Sequence, residues 1–469
     1  MPPIDRRQFI KTAALLGASA AAGLSAPLAA APARKPSILF IMADDLGYAD
    51  LSIYGRREYQ TPVLDQLARD GLMMTHAYAS SSVCSPTRTA LITGRYQYRL
   101  RVGLEEPLGG PGFGLPPEHP TIASQLRQAG YHTSLVGKWH LGGAPDYGPL
   151  KSGYDRFFGF YPGGIDYFAH KALHGKVKPW GDELPGDGLH DQDQPVEVDG
   201  YLTDVFGDRA IADIRDFAAT DKPFFLSLHF SAPHWPWEGP NDIRRSRDLT
   251  TILDTDGGSL EIYAEMVKSL DANVGRVLAE LDRLGLAEDT IVVFTSDNGG
   301  ERFSDMWPFT GAKTELLEGG IRVPGIVRWP RAIKPGRTSE QVIASMDWMP
   351  TLLAAAGGEP HPDYPLDGEN LLDVITGQAA ARERTLFWRY KAHEQAAVRK
   401  GRWKYLKLKE KEGLFDVVAD PRERANLAQR EPARFAELKE LWTAWNAEML
   451  PYPEESYSHD GKHLFMDRY

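Results

Sequence analysis

The chain has 469 residues, a net charge of −11 and a single cysteine. Hydrophobic residues at 42% and charged residues at 25% exclude a disordered or low-complexity chain, and the negative balance argues against nucleic acid or an anionic membrane as a bulk partner. One cysteine excludes an intramolecular disulfide and any zinc site built on several thiolates.

Asp5-Arg6-Arg7-Gln8-Phe9-Ile10-Lys11 precedes a small-residue apolar run from Thr12 to Ala31, with Ala-rich cleavage options around Ala31 to Ala33. This reads as a secretory signal over 1–33, and the Arg-Arg pair followed by Phe-Ile-Lys as a twin-arginine export signal in bacteria. The competing reading, a membrane anchor, is poorer because Ala, Gly and Ser give weak insertion energy. Cleavage removes Asp5, Arg6, Arg7 and Lys11, a net +2, and leaves −13 on a periplasmic or secreted protein without a stable membrane anchor.

Ser37-Ile38-Leu39-Phe40-Ile41-Met42 is a continuous apolar run of the kind that forms a central parallel strand, and it ends at Asp44-Asp45. Thr61-Pro62 opens a helix through Ala68, and Pro86 opens another directly after Cys84-Ser85. Thr121 to Ala129 reads as a helix and Thr133 to Val136 as a strand leading to Lys138-Trp139-His140. Thr203 to Phe217 is helical, Pro223 to Phe230 is a strand, and Leu260 to Leu284 is a long amphipathic helix. Thr290 to Thr295 is a further buried strand, running into Ser296-Asp297-Asn298-Gly299. This alternation predicts an α/β fold with a large, mostly parallel central sheet flanked by helices.

After a helix over Asp347 to Ala356, the breaker-rich segment Gly357 to Pro362 marks a boundary. Short alternating runs such as Trp403 to Leu408, with a last helix near Ala433 to Glu448, predict a smaller C-terminal α+β subdomain containing an antiparallel sheet. The expected organisation is a signal over 1–33, a catalytic domain over 34–360 and a subdomain over 361–469.

The polar residues cluster where strands end. Asp44-Asp45, Lys138 with His140, and Asp297-Asn298 each follow a buried strand, and ligands in open α/β sheets bind outside the carboxyl ends of strands. The two Asp-rich pairs offer oxygen donors only, a set that favours Ca2+ or Mg2+ over zinc; as isolated pairs they would merely be turn residues. Cys84 is either a small buried hydrophobe or, at a helix start with Arg88 one turn on, part of an anion site.

Cys84-Ser85-Pro86-Thr87-Arg88-Thr89-Ala90-Leu91-Ile92-Thr93-Gly94 closely resembles the Cys-x-Pro-x-Arg signature of type I, formylglycine-dependent sulfatases of the alkaline phosphatase-like superfamily. The resemblance runs along nearly all the mature chain, through Ala43 to Gly47, Gly137 to Gly142, Pro233-His234, Ser296 to Gly299, Gly311 to Lys313 and Glu318 to Pro324. Leu414 to Asp416, Asp420-Pro421 and Asn426-Leu427 extend it to the C-terminal part.

The resemblance implies that Cys84 is oxidised to formylglycine by a formylglycine-generating enzyme, with folding before passage through the twin-arginine machinery. One hydroxyl of the hydrated aldehyde would attack sulfur and release the alcohol; the second, deprotonated, would expel sulfate and restore the aldehyde. It further implies one Ca2+ held by Asp44, Asp45, Asp297 and Asn298 together with modified Cys84. Arg88 would steady the diol, Lys138 and Lys313 would contact sulfate, His140 would be the base and His234 the proton donor to the leaving oxygen. Outside such motifs, Lys138 and Lys313 would be solvated side chains and His234 a strand cap; His76, His119, His132 and His229 are expected to be structural.

One departure stands out. Relatives carry a serine or similar contact after the Phe-Phe-Gly segment, whereas Gly159 to Tyr167 here contains none, so a sulfate contact is expected to be missing or made by backbone. Trp235, Trp237 and Trp307 flank the proposed residues and either stack on a sugar or aryl ring or pack in the core. The reading is a sulfatase acting on a sulfated carbohydrate or aryl sulfate. The alternatives are a phosphonate or phosphodiester hydrolase of the same superfamily, against which Asn298 in place of His argues, and a non-catalytic sulfated-glycan binding protein.

Overall fold

Strand β1 (Ser37–Ala43) is apolar from its second residue to its last and lies at the centre of an eleven-stranded sheet, as continuous hydrophobic runs do when both sheet faces are covered. The computed structural model describes residues 35–104, 112–171, 188–249 and 257–458, and from Lys35 onward these form one compact unit. The proposed export signal over 1–33 lies outside the described residues.

The remaining strands of the large sheet are β2 (Leu72–Tyr78), β3 (His132–Lys138), β4 (Arg156–Phe160), β5 (His190–Asp191), β6 (Gln194–Pro195), β7 (Phe224–His229), β8 (Thr290–Ser296), β9 (Arg322–Arg328), β10 (Arg337–Ser339) and β11 (Ile343–Ala344). Their order is β10-β2-β9-β8-β1-β7-β3-β4-β5-β6, with β11 also paired to β2. The middle of the sheet, β8-β1-β7-β3-β4, is entirely parallel. In register, Ala43 faces Ser296, Met42 faces His229 and Gly137 faces His229, so β1, β8, β7 and β3 all end at one level. Everything that follows those strands is thereby delivered to one edge of the sheet.

Two buried clusters pack on the faces, one against the long helices Leu202–Ala218 and Leu260–Arg283, the other against helices Ile122–Gln128 and Trp348–Ala355. Among the described residues no helix is long and apolar enough to cross a membrane. A second, antiparallel sheet runs in chain order through β12 (Thr385–Tyr390), β13 (Gln395–Lys400), β14 (Trp403–Leu408) and β15 (Lys411–Asp416), and helix Pro432–Ala447 packs on it. This is the expected mostly parallel sheet with an antiparallel appendage.

Two details differ from the sequence reading. The helix expected to open at Pro86 begins at Cys84, which places the proline in the first turn, where its missing N–H has no intrahelical partner to lose. Strands β2 and β9, antiparallel to each other, were not legible as strands; β9 is interrupted by Pro324 and Gly325 and carries arginines at both ends.

Candidate active site

Several segments that converge at the carboxyl edge of the sheet pass through backbone that regular structure does not use. Asp45, two residues beyond β1, and His140, two residues beyond β3, both sit in the left-handed backbone region (φ 61° and 60°), and Thr314 beside Lys313 does the same (φ 74°). Non-glycine residues pay conformational energy there, and such positions concentrate where side chains must converge.

Asp44, Asp45, Asp297 and the Cys84 sulfur bring four donor atoms within 4.8 Å of one another, all buried. Asp45 N–H donates to Asp297 Oδ1 (3.2 Å), which ties the β1 loop to the β8 loop. Arg88, one turn into the helix that Cys84 begins, donates through Nε and Nη2 to Asp297 Oδ2 (3.2 and 2.9 Å) and through Nη1 to the Lys138 carbonyl (3.1 Å). Lys138 Nζ donates to Asp44 Oδ2 (2.6 Å), and Lys313 Nζ to Asp45 Oδ2 (2.8 Å). Both lysines and the arginine are buried, so the solvated alternatives for Lys138 and Lys313 do not hold. Unpaired, such cations would be prohibitively costly; paired, they form a positive rim around an acidic centre.

The charge states follow from burial. Burial and the neighbouring Asp297 charge push the Asp44 carboxyl well above the usual carboxylate range. Burial also works to raise Asp297, but Arg88 and Lys138 outweigh it and hold it low. The Cys84 thiol is raised by burial, with Lys138 and Lys313 opposing, and donates to Asp44 Oδ1 (3.6 Å). A thiol held protonated in this way is a poor nucleophile as it stands. His140 and His234 are both driven well down by burial and then Lys138, so both imidazoles are neutral. His234 accommodates this by pointing Nδ1 at the Trp235 carbonyl (2.5 Å), which leaves Nε2 facing Asp45 Oδ2 at 3.6 Å.

The donor set suits a hard divalent cation. Three carboxylates face one volume, and Asn298 Oδ1 is buried without a hydrogen-bond partner while its Nδ2 donates to Asp45 Oδ1 (2.7 Å) and the Gly299 carbonyl (2.9 Å). An all-oxygen set with a neutral amide matches Ca2+ or Mg2+, and the orphaned amide oxygen gains a partner if the ion binds.

All the sequence-derived residues, Asp44, Asp45, Cys84, Arg88, Lys138, His140, His234, Asp297, Asn298 and Lys313, are thus buried at this edge. The serine-free stretch also borders it: a Cβ built on Gly163 would lie 2.9 Å from His140 Cε1 and Nε2, and one on Gly164 3.2 Å from His234 Cε1. From this stretch, backbone and no serine side chain faces both imidazoles. Of the tryptophans, half-buried Trp235 stands against the His234 ring (4.3 Å between centroids) and 6.0 Å from Lys313 Nζ. Trp237 is core, packed on Phe303, and Trp307 is 56% exposed beneath the Arg422 guanidinium. His229 lies behind Arg88 in a small cavity, its pKa pushed down to about 3 by burial.

Two participants escaped the sequence reading. Glu301 Oε1 lies 3.0 Å from Lys313 Nζ, with 3% of its side chain exposed. Gln395, on β13 of the second sheet, donates through Nε2 to the Thr314 carbonyl (2.7 Å) and accepts from Leu316 N–H (2.9 Å), gripping the segment that carries Lys313. A lone glutamate in a loop and a lone glutamine in a strand have no spacing that marks them.

Residues 36–358 match the family described as Sulfatase, and residues 312–445 the one described as N-sulphoglucosamine sulphohydrolase, C-terminal. An uncharacterised sulfatase of Schizosaccharomyces pombe is 30% identical, over 89% of this chain and 94% of its own. N-acetylgalactosamine-6-sulfatase of Canis lupus familiaris is 34% identical, over 83% of this chain and 74% of its own. Among solved structures, that of Ps i-CgsB in complex with k-i-k-neocarrahexaose superposes with a TM-score of 0.80 at 27% identity, covering 92% of this chain and 97% of that one.

Proposed function

The chain belongs to the sulfatase family and hydrolyses sulfuric esters, and we propose that its substrate is a sulfated carbohydrate, that residue 84 works as formylglycine, and that Asp44, Asp45, Asp297 and Asn298 hold Ca2+. The observation that carries this is the position of Cys84: first residue of its helix, buried, inside the oxygen cluster and ringed by Arg88, Lys138 and Lys313. When present, the hydrated aldehyde supplies the attacking oxygen and the cation supplies charge that orients the sulfate.

The chain's own residues do the rest. Arg88, fixed by Asp297 and the Lys138 carbonyl, holds the residue-84 side chain in place. Lys138 and Lys313 present ammonium groups to the sulfate oxygens and meet charge that grows there in the transition state. These cations also answer how a chain of net charge −11 binds an anion: the attraction is local. Neutral His140 is ready to accept a proton as base. His234 becomes the proton donor when the incoming anionic ester favours its charged form at Nε2, the nitrogen its backbone contact leaves open.

The carbohydrate assignment is supported by the names of the similar proteins, one an N-acetylgalactosamine-6-sulfatase and one bound to a neocarrahexaose. It is also supported by the half-exposed Trp235 face beside His234. We further take 1–33 as a cleaved twin-arginine signal for a periplasmic or secreted enzyme, 34–360 as the catalytic domain and 361–469 as a subdomain that buttresses it. The test is the intact mass of the peptide carrying residue 84 from active protein, with sulfate release from a panel of sulfated saccharides. Aldehyde at residue 84 and loss of turnover in Cys84→Ala are expected; a persistent thiol in fully active enzyme rejects the mechanism.

A further inference from the structure

One tyrosine grips both ends of the segment that runs from His234 to Glu238. The Tyr167 hydroxyl donates to the His234 carbonyl (2.9 Å), and the Tyr167 N–H donates to Glu238 Oε2 (3.0 Å). Its ring is wholly buried and stacks on Tyr201 (5.4 Å between centroids, 22° between planes), whose hydroxyl donates to the Glu238 carbonyl (2.8 Å). The same stretch of chain lays Gly164 against the imidazole, where an added Cβ would come within 3.2 Å of Cε1. A phenylalanine would fill the Tyr167 site as well; what the hydroxyl adds is a hold on one peptide group.

That peptide matters because of how the imidazole is oriented. His234 Nδ1 pairs with the Trp235 carbonyl (2.5 Å), one peptide beyond the carbonyl that Tyr167 holds, so the ring turns with its own main chain. On the other side His234 N–H donates to the Ser231 carbonyl (2.9 Å), a bond within the same loop. Tyr167 reaches the loop from 67 residues away in sequence and ties it to the segment that carries Gly164. We infer that Tyr167 is a positioning residue for His234: it fixes the His234–Trp235 peptide and, through it, the direction of Nε2, the nitrogen that faces the leaving oxygen. It acts through the imidazole and not on the ester. Proton transfer demands hydrogen-bond reach of the departing oxygen, and a misplacement of about 1 Å costs about a hundredfold in rate.

The inference rests on the proton-donor reading of His234, and a double-mutant cycle tells the two apart. Sulfate release is followed from N-acetylgalactosamine 6-sulfate, whose leaving alkoxide needs a proton, and from 4-nitrophenyl sulfate, whose phenolate does not. On the sugar ester, Tyr167→Phe is expected to lower kcat about tenfold or more in the wild-type background and less than about twofold in the His234→Ala background. On the nitrophenyl ester it should change kcat by less than about threefold. An equal fall in both backgrounds, or on both esters, makes the hydroxyl a general support of the fold and overturns the inference. His234→Ala with undiminished sugar turnover overturns the proton-donor reading first, and the inference with it. Two measurements need no turnover. Benzenesulfonate, a sulfate-ester analogue that is not hydrolysed, should bind Tyr167→Phe and wild type with the same affinity in calorimetry. Crystal structures of the two proteins should show the His234 imidazole turned or split in the variant alone. An imidazole unmoved in Tyr167→Phe, a lost affinity for the sulfonate, or a variant that does not fold overturns the inference and leaves the role of His234 standing.

Discussion

Three carboxylates facing one point repel one another, and at the residue scale most of the chemistry of this site consists of ways to answer that repulsion. Asp44 is pushed up by burial and by Asp297 even though Lys138 touches it, so the three fixed cations do not fully neutralise the centre. A bound divalent ion supplies the remainder. Chelation is therefore expected to lower the melting temperature and Ca2+ to restore it, by an amount equivalent to about 3 kcal/mol at a hundredfold excess over the dissociation constant. Scanning calorimetry with and without chelator reads this directly, and a melting temperature indifferent to Ca2+ would refute the ion. Lys313→Met leaves Asp45 and Glu301 buried without their shared partner; a loss of about 3–5 kcal/mol in denaturant stability is expected, with turnover reduced at least a hundredfold. The ligand residues could be read from sequence because each directly follows a buried apolar strand. Glu301 could not, because its meaning comes from an ammonium that a twelve-residue excursion brings back to it, with Lys313 N–H donating to the Gly300 carbonyl.

Between elements, the loop that carries His234 is braced by a pair of buried acids. Asp166 accepts from Phe168 N–H and from the Ser246 hydroxyl, while Glu238 accepts from Tyr167 N–H; the Tyr167 hydroxyl in turn donates to the His234 carbonyl. Burial first, and then the neighbouring Asp166, push Glu238 up to about 9, so at neutral pH Glu238 is protonated. A pKa raised on folding stabilises the protein fully at acid pH, and the stabilisation is lost as pH rises from the ordinary glutamate range through 9. Denaturant melts at pH 5, 7 and 9 should show stability falling toward alkali in the wild type and a flatter profile in Glu238→Gln. Equal slopes in the two proteins would remove Glu238 as the cause. Gln395 makes a comparable bridge from the other sheet: Gln395→Ala should leave Thr314 and Leu316 unclamped, lowering kcat about tenfold through Lys313, while Gln395→Glu retains one acceptor and recovers part of it. Neither brace was legible beforehand, since both depend on partners far away in sequence. The parallel core was, because an apolar strand followed by acids or amides announces itself locally. Strands β2 and β9 pair antiparallel across a distance no periodicity spans, and Pro324 and Gly325 disguise one of them.

At the scale of the whole molecule, the two sheets share a core across the point where the composition changes. A single buried cluster contains Tyr78, Val83 and Ala90 from around Cys84 together with Trp388, Leu406 and Trp445 from beyond the Gly357 to Pro362 breaker. Trp388 Nε1 donates to the Ala79 carbonyl (2.9 Å) and the Tyr98 hydroxyl to the Arg389 carbonyl (2.7 Å), so the second sheet holds the very segment that leads into residue 84. Beneath it lies a buried ionic knot: Lys404 Nζ meets Glu318 Oε1 at 3.0 Å and Glu423 Oε1 at 2.9 Å, while Glu318 also accepts from the Tyr78 hydroxyl (2.6 Å) and Arg322 (3.2 Å). Lys404 comes from the second sheet and Glu318 from the short helix Glu318–Ile321 that leads into β9, and none of the three charged groups of the Lys404 pairs has exposed side chain. Ending the chain at Pro360 would therefore strip Tyr78 and Val83 of their cover and leave Glu318 without Lys404, each a cost of several kcal/mol against a total stability of about 5–15. The expected product is a chain with no cooperative thermal transition and no affinity for benzenesulfonate. A truncated protein that melts cooperatively and binds the anion would show that the second sheet is an accessory to the catalytic body, and not, as the shared core requires, one of its walls.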